Sequence, residues 1–338
     1  MADSIIGSIS GVTGTGSLGQ LVSTYFQQKA EARLFQNLVW YNLGQKRNIP
    51  KNSGQLTQFY RYGNIYGSTS TVATNATIAT TSAQAALTAT TVSLTTLMYG
   101  QFVTLAKFDV DSIRSKSLVE DAVDVLADAA SDTVDLLIRS TIYSNTATTG
   151  AGTLTASLYY GQDLSKTTAS ITTADTMNAG TIRKMVRNLQ SNKVRPFTDG
   201  QKYGLVIHPA QLYDLVSDTT VGGFLASAQY SQAEKIWNGE VGSIMGARIL
   251  ISQTALSASA DITSSVTNAY YAAVVGEDAF ATVELDNSPI QVITKSEGGT
   301  YDPFGNLVTV AYKLPQFGVA WLGADGPRAI RIGTAASA

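Results

Sequence analysis

The stretch from Asn52 to Ala106 restricts the possible folds of this chain more than any other part of the sequence. It contains no Asp, Glu or Lys, and Arg61 is its one charged residue. Both ends are rich in Tyr, Phe, Thr, Leu and Val, which favour strands. The middle is built almost entirely from small residues. This pattern predicts a long β-hairpin with hardly any charge.

The expected length of the hairpin indicates what it lies on. If each strand runs for about 15–18 residues at about 3.3 Å per residue, the hairpin reaches about 50–60 Å. A compact domain of 338 residues has a radius of gyration near 20 Å, so the hairpin should extend beyond its own subunit. An isolated hairpin is marginally stable in water, and an exposed strand edge invites pairing. We therefore expect it to lie on a neighbouring subunit; the alternative is a disordered Thr/Ala linker.

Charged residues are scarce in the chain as a whole. Asp, Glu, Lys and Arg make up 14% of it, against roughly 25% in ordinary soluble domains, and a surface with so few charges favours association. The formal net charge is −2, which does not indicate binding to nucleic acid or to a membrane surface. No apolar run approaches the roughly 18 residues of a membrane helix. Cysteine is absent, which is compatible with folding in a reducing cytoplasm.

The clearest predicted helix runs from Asp111 to Tyr143. Its apolar residues recur in steps of three and four: Val119, Val123, Leu126, Ala130, Val134 and Leu137. A second stripe is acidic: Asp121, Asp124, Asp128, Asp132 and Asp135. At about 100° per residue the two stripes lie nearly opposite each other, which predicts a core-facing side and a solvated or partner-facing acidic ridge. A straight row of carboxylates does not converge on a metal ion, and it repels phosphate backbones.

The other predicted elements alternate between helices and strands. Helical spacing covers residues 18–43 and 177–192, and a buried strand in KYGLVI runs into a helix that starts at Pro209. Residues 145–175 have the composition of a loop. Further strands are predicted in GARILISQ, NAYYAAVVG, PIQVITK, VTVAYK, FGVAWLG and PRAIRIG. The order of helix, hairpin, long helix, mixed region and closing sheet predicts an α+β fold.

A glycine motif near the N-terminus suggests a dinucleotide-binding enzyme. Gly14, Gly16 and Gly19 match G-x-G-x-x-G, which places a pyrophosphate at a helix N-terminus. The motif also needs a preceding apolar strand and an acid about 20 residues further on, but Ser4–Ser10 is a poor strand and Glu31 comes too early. The match is expected by chance in a glycine-rich segment. We expect these glycines to give a flexible arm its freedom, and we keep the enzyme as a remote alternative.

Other catalytic signals are equally weak. His208 is the one histidine, so a Ser-His-Asp triad would have to use it, yet its place before Pro209 fits a strand-to-helix junction. Glu277 and Asp278 cannot be told from surface charges. The sequence has no P-loop, no G-x-S-x-G and no zincin helix. We therefore expect a protein that is not an enzyme and has no cofactor, no metal and no catalytic residue.

Six strings, taken in order, resemble landmarks of one protein family. They are IPKNSGQLTQFYRY (Ile49–Tyr62), MYGQF (Met98–Phe102), IHPAQLYDL (Ile207–Leu215), NGEVGSIMGARIL (Asn238–Leu250), VVGEDAF (Val274–Phe280) and YDPFGNLVTVAYK (Tyr301–Lys313). Together with the order of elements, they resemble the major capsid protein of tailed bacteriophages, which has the Hong Kong 97-type fold. The resemblance covers nearly the whole chain, apart from residues 145–175.

The resemblance implies a division of the chain into regions. Residues 1–47 correspond to an N-terminal arm and 48–106 to the E-loop hairpin, which lies across an adjacent subunit in this fold. Residues 107–199 correspond to the peripheral P-domain, whose spine helix is 111–143. Residues 200–289 correspond to the axial A-domain, and 290–338 to C-terminal strands that complete the P-domain.

The implied function is structural. A protein of this kind assembles into the pentamers and hexamers of an icosahedral shell that encloses packaged double-stranded DNA, without sequence-specific binding. Its partners would be itself and cement, scaffolding and portal proteins, and it would be found in the virion after assembly in the bacterial cytoplasm. The shell protein of a bacterial nanocompartment, which has the same fold, is the close alternative. The residues expected at the assembly interface are Tyr60, Arg61, Tyr62, Tyr66, Tyr99, Asp302 and Phe304.

The hairpin departs from some members of this fold in one chemical respect. Those members join their subunits by a Lys–Asn isopeptide bond from a lysine on the E-loop, but residues 52–106 contain no lysine. We expect assembled shells, boiled in detergent, to release single chains on a denaturing gel. Covalent multimers linked through this hairpin would contradict the prediction.

Overall fold

The computed structural model of the chain describes part of its residues. The described residues are 25–31, 38–62, 87, 89–112, 118–143, 157–162, 164, 170–198, 200–218, 240–244, 246–253, 268–285, 290–295, 305–322 and 328–337. The glycine motif and the greater part of the predicted N-terminal arm lie outside these ranges, as does the far end of the hairpin.

Within these ranges the chain is a mixture of helices and strands, as the α+β prediction requires. The helices are α1 (residues 25–31), α2 (Lys107–Ser112), α3 (Leu118–Tyr143), α4 (Ala179–Ser191) and α5 (Pro209–Ser217). The strands are β1 (Gln45–Ile49), β2 (Leu56–Tyr62), β3 (Ala89–Thr95), β4 (Leu97–Ala106), β5 (Ser157–Tyr160), β6 (Tyr203–Ile207), β7 (Glu240–Ile244), β8 (Ala247–Ile251), β9 (Ala269–Val275), β10 (Phe280–Leu285), β11 (Gln291–Lys295), β12 (Leu307–Trp321) and β13 (Ala329–Ala335).

The strands form two sheets and the hairpin. One sheet has the order β1-β10-β12-β11, with β4 also paired to β12; the other has the order β5-β13-β9-β6-β8-β7. This pairing differs from the predicted regions. β10 lies within the predicted A-domain region, 200–289, but pairs with β12 in the first sheet, and β13 lies within the predicted P-domain strands, 290–338, but joins the second sheet. The prediction assigns each contiguous stretch of sequence to one domain, whereas a strand pairs with strands that are distant in the chain.

The longest strand, β12, holds the first sheet together. Two strands were predicted here, but residues 307–321 form one, which pairs with β4, β10 and β11. Alternate residues up to Leu314 face the core. The register then shifts between Leu314 and Phe317, around Pro315, because a proline has no N–H for the ladder and is tolerated at irregularities.

Helix α3 packs its apolar side on β4 and β12, as its stripe predicts. Val123, Ala130 and Ile138 are almost completely buried, and the Thr133 hydroxyl lies 2.8 Å from the Tyr312 hydroxyl on β12. The predicted helix over 111–143 ends where α3 ends. Its first two residues belong instead to α2, and residues 113–117 lie outside the described ranges.

Arg331 on β13 caps the C-terminal end of α3. Its side chain is buried, and Nη1 donates a hydrogen bond to the carbonyl oxygen of Tyr143, the last residue of the helix. A cation is favourable there because the final carbonyls carry the negative end of the helix dipole. The Tyr143 ring packs on Tyr271 of β9, with ring centroids 5.5 Å apart. These contacts fasten α3 to the six-stranded sheet.

Two buried carboxylates hold the segment of residues 38–49 on the body. Asp135 accepts hydrogen bonds from the backbone N–H groups of Val39 at 3.1 Å and Trp40 at 3.3 Å, and Glu284 accepts one from the Tyr41 hydroxyl. Burial raises the pKa of Asp135 to about 6, although its two backbone donors lower it. Burial also raises the pKa of Glu284 to about 7.

Two sequence-based expectations are wrong at particular residues. Residues 157–160 form strand β5, parallel to β13, where a loop was predicted; their aromatic residues add an edge to a sheet built from distant segments. The one or two helices predicted over 18–43 do not reach the expected end, because residues 41–43 form a short 3-10 turn. Trp40 is completely buried there, so packing overrides the helical pattern.

We expect replacement of Arg331 by Met to lower the free energy of unfolding by about 2–4 kcal/mol. The apolar side chain removes the donor and the charge at a buried helix terminus and leaves the Tyr143 carbonyl without that bond. Chemical denaturation of the purified subunit measures the change. Arg331→Lys keeps the charge and should lose less; equal losses for Met and Lys would contradict a contribution of the charge.

The stabilising contribution of Asp135 and Glu284 should be lost as the pH rises from mildly acidic to neutral. Their carboxyls have a higher pKa in the folded chain than in the unfolded chain, so the folded state binds protons more tightly. The contribution of these two carboxyls to the free energy of unfolding should therefore be complete below about pH 4, the unfolded pKa. It should fall through about 6 for Asp135 and about 7 for Glu284.

Urea denaturation over this pH range tests the expectation. Asp135→Asn and Glu284→Gln should each flatten the decline, because the amide does not titrate. Parallel curves for the wild-type chain and both variants would show that neither carboxyl is responsible.

Candidate assembly interface

The hairpin has two different faces. Strands β2 and β3 pair antiparallel from Leu56 opposite Thr95 to Tyr62 opposite Ala89. Burial alternates along β2, and β3 also has an inward side. The inward side chains are Thr57, Phe59, Val92 and Leu94, all buried. The large outward side chains, which we call the hairpin face, are Leu56, Tyr60 and Tyr62, each at least 60% exposed.

The inward side packs on the body of the same chain. One hydrophobic cluster joins them: Ile49, Phe59, Val92, Leu94, Ala281, Val283, Ala320 and Leu322. The approach is close, because a Cβ atom added to Gly318 would lie 3.0 Å from Leu94 Cδ2. The prediction that the hairpin extends beyond its own subunit is therefore wrong for residues 56–62 and 89–95.

The hairpin ladder ends sooner at its base than predicted. Seven residues of each strand pair among the described residues, and residues 63–86 and 88 lie outside the described ranges. The ladder closes at its base where the backbone N–H and the hydroxyl of Thr96 both donate to the Gln55 carbonyl. Residues 97–106 then continue as β4, which pairs with β12 of the body. A run of β-forming residues does not reveal a change of partner strand.

Arg61 fastens the hairpin to its own subunit. Its Nη1 atom donates to the carbonyl oxygens of Leu322 and Asp278, the latter at 3.2 Å. It was predicted at the assembly interface, together with Tyr60 and Tyr62. The structure brings the three together, but only the two tyrosines lie on the hairpin face, because side chains alternate along a strand.

A second exposed apolar surface lies on the first sheet. Met98 and Phe102 of β4 are about two-thirds exposed, and Phe102 stands opposite Ala311, which in turn stands opposite Ile293. We call these four residues the outer sheet face. It is turned away from α3, because Val103 and Leu105 on the other side of β4 pack against the main core.

Sequence reasoning missed this surface. It selected Tyr99, which is half-buried and packs against the main core, on the side of β4 opposite Met98 and Phe102. The available signal was that the residues on both faces of the predicted strand LMYGQFVTLA include large apolar side chains. The other predicted interface residues, Tyr66, Asp302 and Phe304, lie outside the described ranges.

The acidic ridge is only partly exposed. Asp132 is exposed, and Asp121, Asp124 and Asp128 are half-buried. Asp124 forms a salt bridge with Lys29 at 3.1 Å, which raises the pKa of that lysine. Asp135 is buried under residues 38–40, so its predicted place on a solvated or partner-facing ridge is wrong. Helical spacing indicates which residues share a side, but not that a distant segment covers part of it.

A basic cavity beside the C-terminal half of β2 was not predicted. It has a volume of about 460 Å³. The charged residues that line it are Arg47, Arg61, Lys193, Arg195, Arg328 and Asp278. They come from five separate segments of the chain, so no local motif could indicate them. Tyr60 and Tyr62 also line it, which joins the cavity to the hairpin face.

His208 has a structural role at the start of α5. Its Nδ1 accepts from the Ala210 N–H at 3.2 Å, its own N–H donates to Gln211, and its ring stacks on Tyr270 at 3.7 Å. Burial lowers its pKa. Among the described residues, no three His, Asp or Glu side chains group closely enough to hold a metal ion. None of the described helices is long and apolar enough to cross a membrane.

Known proteins with similar structures are phage capsids. The capsid of Ralstonia phage GP4 matches with a TM-score of 0.63 and 16% identity over 88% of each chain. The cyanophage Pam1 capsid matches with 0.64 and 13% identity, over 85% of this chain and 86% of that one. The head of Helicobacter pylori bacteriophage KHP40 matches with 0.57 and 11%, over 89% and 91%. These similarities confirm the predicted fold class.

The sequence itself also matches a family. No curated protein is significantly similar to the chain, but residues 89–332 match the family described as phage capsid protein. That range runs from the second strand of the hairpin into β13 and covers most of the chain. The chain therefore belongs to the phage capsid protein family.

Proposed function

We propose that this chain is the major capsid protein of a tailed phage and that each copy places its hairpin face on the outer sheet face of a neighbour. The observation that supports this most strongly is the hairpin face itself. Leu56, Tyr60 and Tyr62 are at least 60% exposed, within a segment that has one charged residue. Large apolar surfaces that a subunit leaves in water mark sites of association.

The two surfaces suit each other chemically. Tyrosine and phenylalanine bury much area with little loss of conformational freedom, and tyrosine is among the residues that dominate interface energies. The tyrosine hydroxyls can keep hydrogen bonds at the rim while their rings cover Met98, Phe102 and Ile293. Removing one such anchor from the centre of an interface typically costs about 2 kcal/mol or more.

The geometry favours closed assemblies. The hairpin face and the outer sheet face are different surfaces of one chain, so their contact is head-to-tail, and repetition of such a contact closes into rings when the rotation allows it. We propose pentamers and hexamers that form an icosahedral shell. We assign the six-stranded sheet to the axial domain and the sheet around β12, with α3, to the peripheral domain.

The proposed contents and partners follow from charge and from the family. Exposed Asp132 and half-buried Asp121 and Asp128 would repel phosphate, which suits a wall that encloses double-stranded DNA without binding its sequence. Portal, scaffolding and cement proteins are the further partners that we propose. Assembly in the bacterial cytoplasm is consistent with the absence of cysteine.

Electron microscopy and size exclusion of the expressed protein test this proposal. We expect the wild-type chain to form capsomer rings or closed shells. The double variant Tyr60→Ser and Tyr62→Ser should remain as single subunits with an unchanged melting temperature, because both side chains are exposed. A small oligomer of the wild-type chain would contradict the proposal, and a shell filled with a cargo enzyme would favour a nanocompartment.

Two control variants separate assembly from folding. Tyr213→Ser removes an equally exposed tyrosine, 67% exposed on α5, and should leave hairpin-dependent assembly intact. Phe59→Ala acts on the inward side and should lower the melting temperature, because Phe59 is buried against its own body. Normal shells from the Tyr60/Tyr62 variant would exclude the hairpin face as the contact.

A further inference from the structure

Strand β4 is an edge strand without the protection that edges usually have. It pairs with β12 on one side, and among the described residues no strand pairs with its other side. Its ten residues include no charged side chain and no proline, and seven of them are exposed. Exposed edges usually carry charged residues or proline, because their unpaired N–H and C=O groups otherwise bind another strand.

The other two edges of the same sheet are protected in this way. β1 contains Lys46 and Arg47, and β11 contains Lys295. Each of these strands has five residues, so β4 is twice as long as either. We therefore expect β4, and not β1 or β11, to pair with a strand outside the subunit.

The core side of the sheet is also incomplete along β4. On β12 the core-facing side chains of Val310 and Leu314 are completely buried. Their neighbours on β4, Val103 and Tyr99, are only half-buried, although they pack against the same core. A further strand beside β4 would cover the part of these two side chains that is still exposed.

A second copy of β4 has the properties that this edge requires. Two copies of one strand pair antiparallel around a two-fold axis, and such a contact is self-complementary. Like charges directly opposite each other destabilise a strand pair, but β4 has no charge to repel its own copy. We infer that β4 pairs antiparallel with β4 of a subunit in a neighbouring ring, so that two sheets join across a two-fold axis.

This inference rests on the proposed function and supplies a contact that the function needs. The head-to-tail contact of the hairpin closes rings, and a shell requires a second contact that joins one ring to the next. Strand pairing at β4 uses backbone groups in the plane of the sheet. It therefore leaves the outer sheet face open to the hairpin face of a neighbour.

The residues of β4 favour one register. Opposite residues in an antiparallel pair point to the same face, so the core sides of the two sheets coincide only when the axis passes through a residue. With the axis at Gln101, Gly100 lies opposite Phe102, whose ring can cover the glycine. Tyr99 then lies opposite Val103, which brings the two half-buried apolar side chains together on the core side. An axis at Phe102 would instead place the Gln101 amide opposite Val103.

Disulfide trapping tests this register in a chain that has no cysteine of its own. Gln101→Cys should give disulfide-linked pairs of chains when assembled shells are oxidised, because the Cα atoms of opposite residues lie about 4.5–5.5 Å apart, within disulfide reach. The matched control is Thr104→Cys, exposed on the same strand. Its two copies would lie about 20 Å apart along the strands and should not link. Equal linkage of both variants would overturn the inference.

A charge at the axis provides a second test. Gln101→Lys places two ammonium groups opposite each other only if the strand meets its own copy at this residue. We expect this variant to stop at capsomer rings at concentrations at which the wild-type chain closes shells. The melting temperature of the subunit should not change, because Gln101 is exposed. The neutral control, Gln101→Thr, should form shells, whereas normal shells from Gln101→Lys would contradict the inference.

The inference and the proposed function fail in different ways. Wild-type shells in which Gln101→Cys gives no linked pairs would overturn the inference, assign the edge of β4 to another segment and leave the proposed function standing. Rings from Gln101→Lys, together with single subunits from the Tyr60/Tyr62 variant, would support both and separate the two contacts. A wild-type chain that forms neither rings nor shells would overturn both.

Discussion

The packing of α3 on β12 is the contact on which the rest of this structure depends. β12 has 15 residues and pairs with β4, β10 and β11, so it sets the position of every other strand in its sheet except β1, which pairs through β10. Its core-facing side chains meet the apolar side of α3. The register shift near Pro315 lets the far end of the strand continue under the hairpin, where Ala320 and Leu322 join the cluster around Phe59. One strand thus supports the long helix and the hairpin on opposite sides.

Charged side chains fasten the segments that apolar packing alone would leave loosely attached. Asp135 and Glu284 hold residues 38–43, Arg331 holds the end of α3, and Arg61 holds the hairpin. In each case the partner is a backbone group or a neutral hydroxyl. A buried charge bonded to neutral groups fixes geometry strongly but remains costly to bury. This cost is reflected in the raised pKa values of both carboxyls.

Elements with strong local patterns were predictable, and contacts between distant segments were not. The spacing in residues 118–143 indicates α3, and the strand and helix on either side of His208 follow from a buried run and a proline at a first helical turn. Composition indicated the strands of the hairpin, but it did not indicate that the hairpin packs on the body of its own chain. The burial of Asp135 could not be foreseen, because its covering residues come from a segment about 95 positions away. The basic cavity is assembled from five segments, so no short motif could reveal it.

The sequence by itself determined the α+β class, the long helix and the hairpin with its single charge, because these depend on periodicity and composition along the chain. Membership of the phage capsid protein family came from the match of residues 89–332 to that family. Only the tertiary structure decided which face of the hairpin is exposed and that five cations line one cavity. It also decided that Arg61 bonds to its own subunit while Tyr60 and Tyr62 remain exposed. The physical reason is that exposure depends on what covers a residue. In this chain the covering residues are distant in sequence from the residues they cover. Strand pairing brings them together, and local spacing does not encode that pairing.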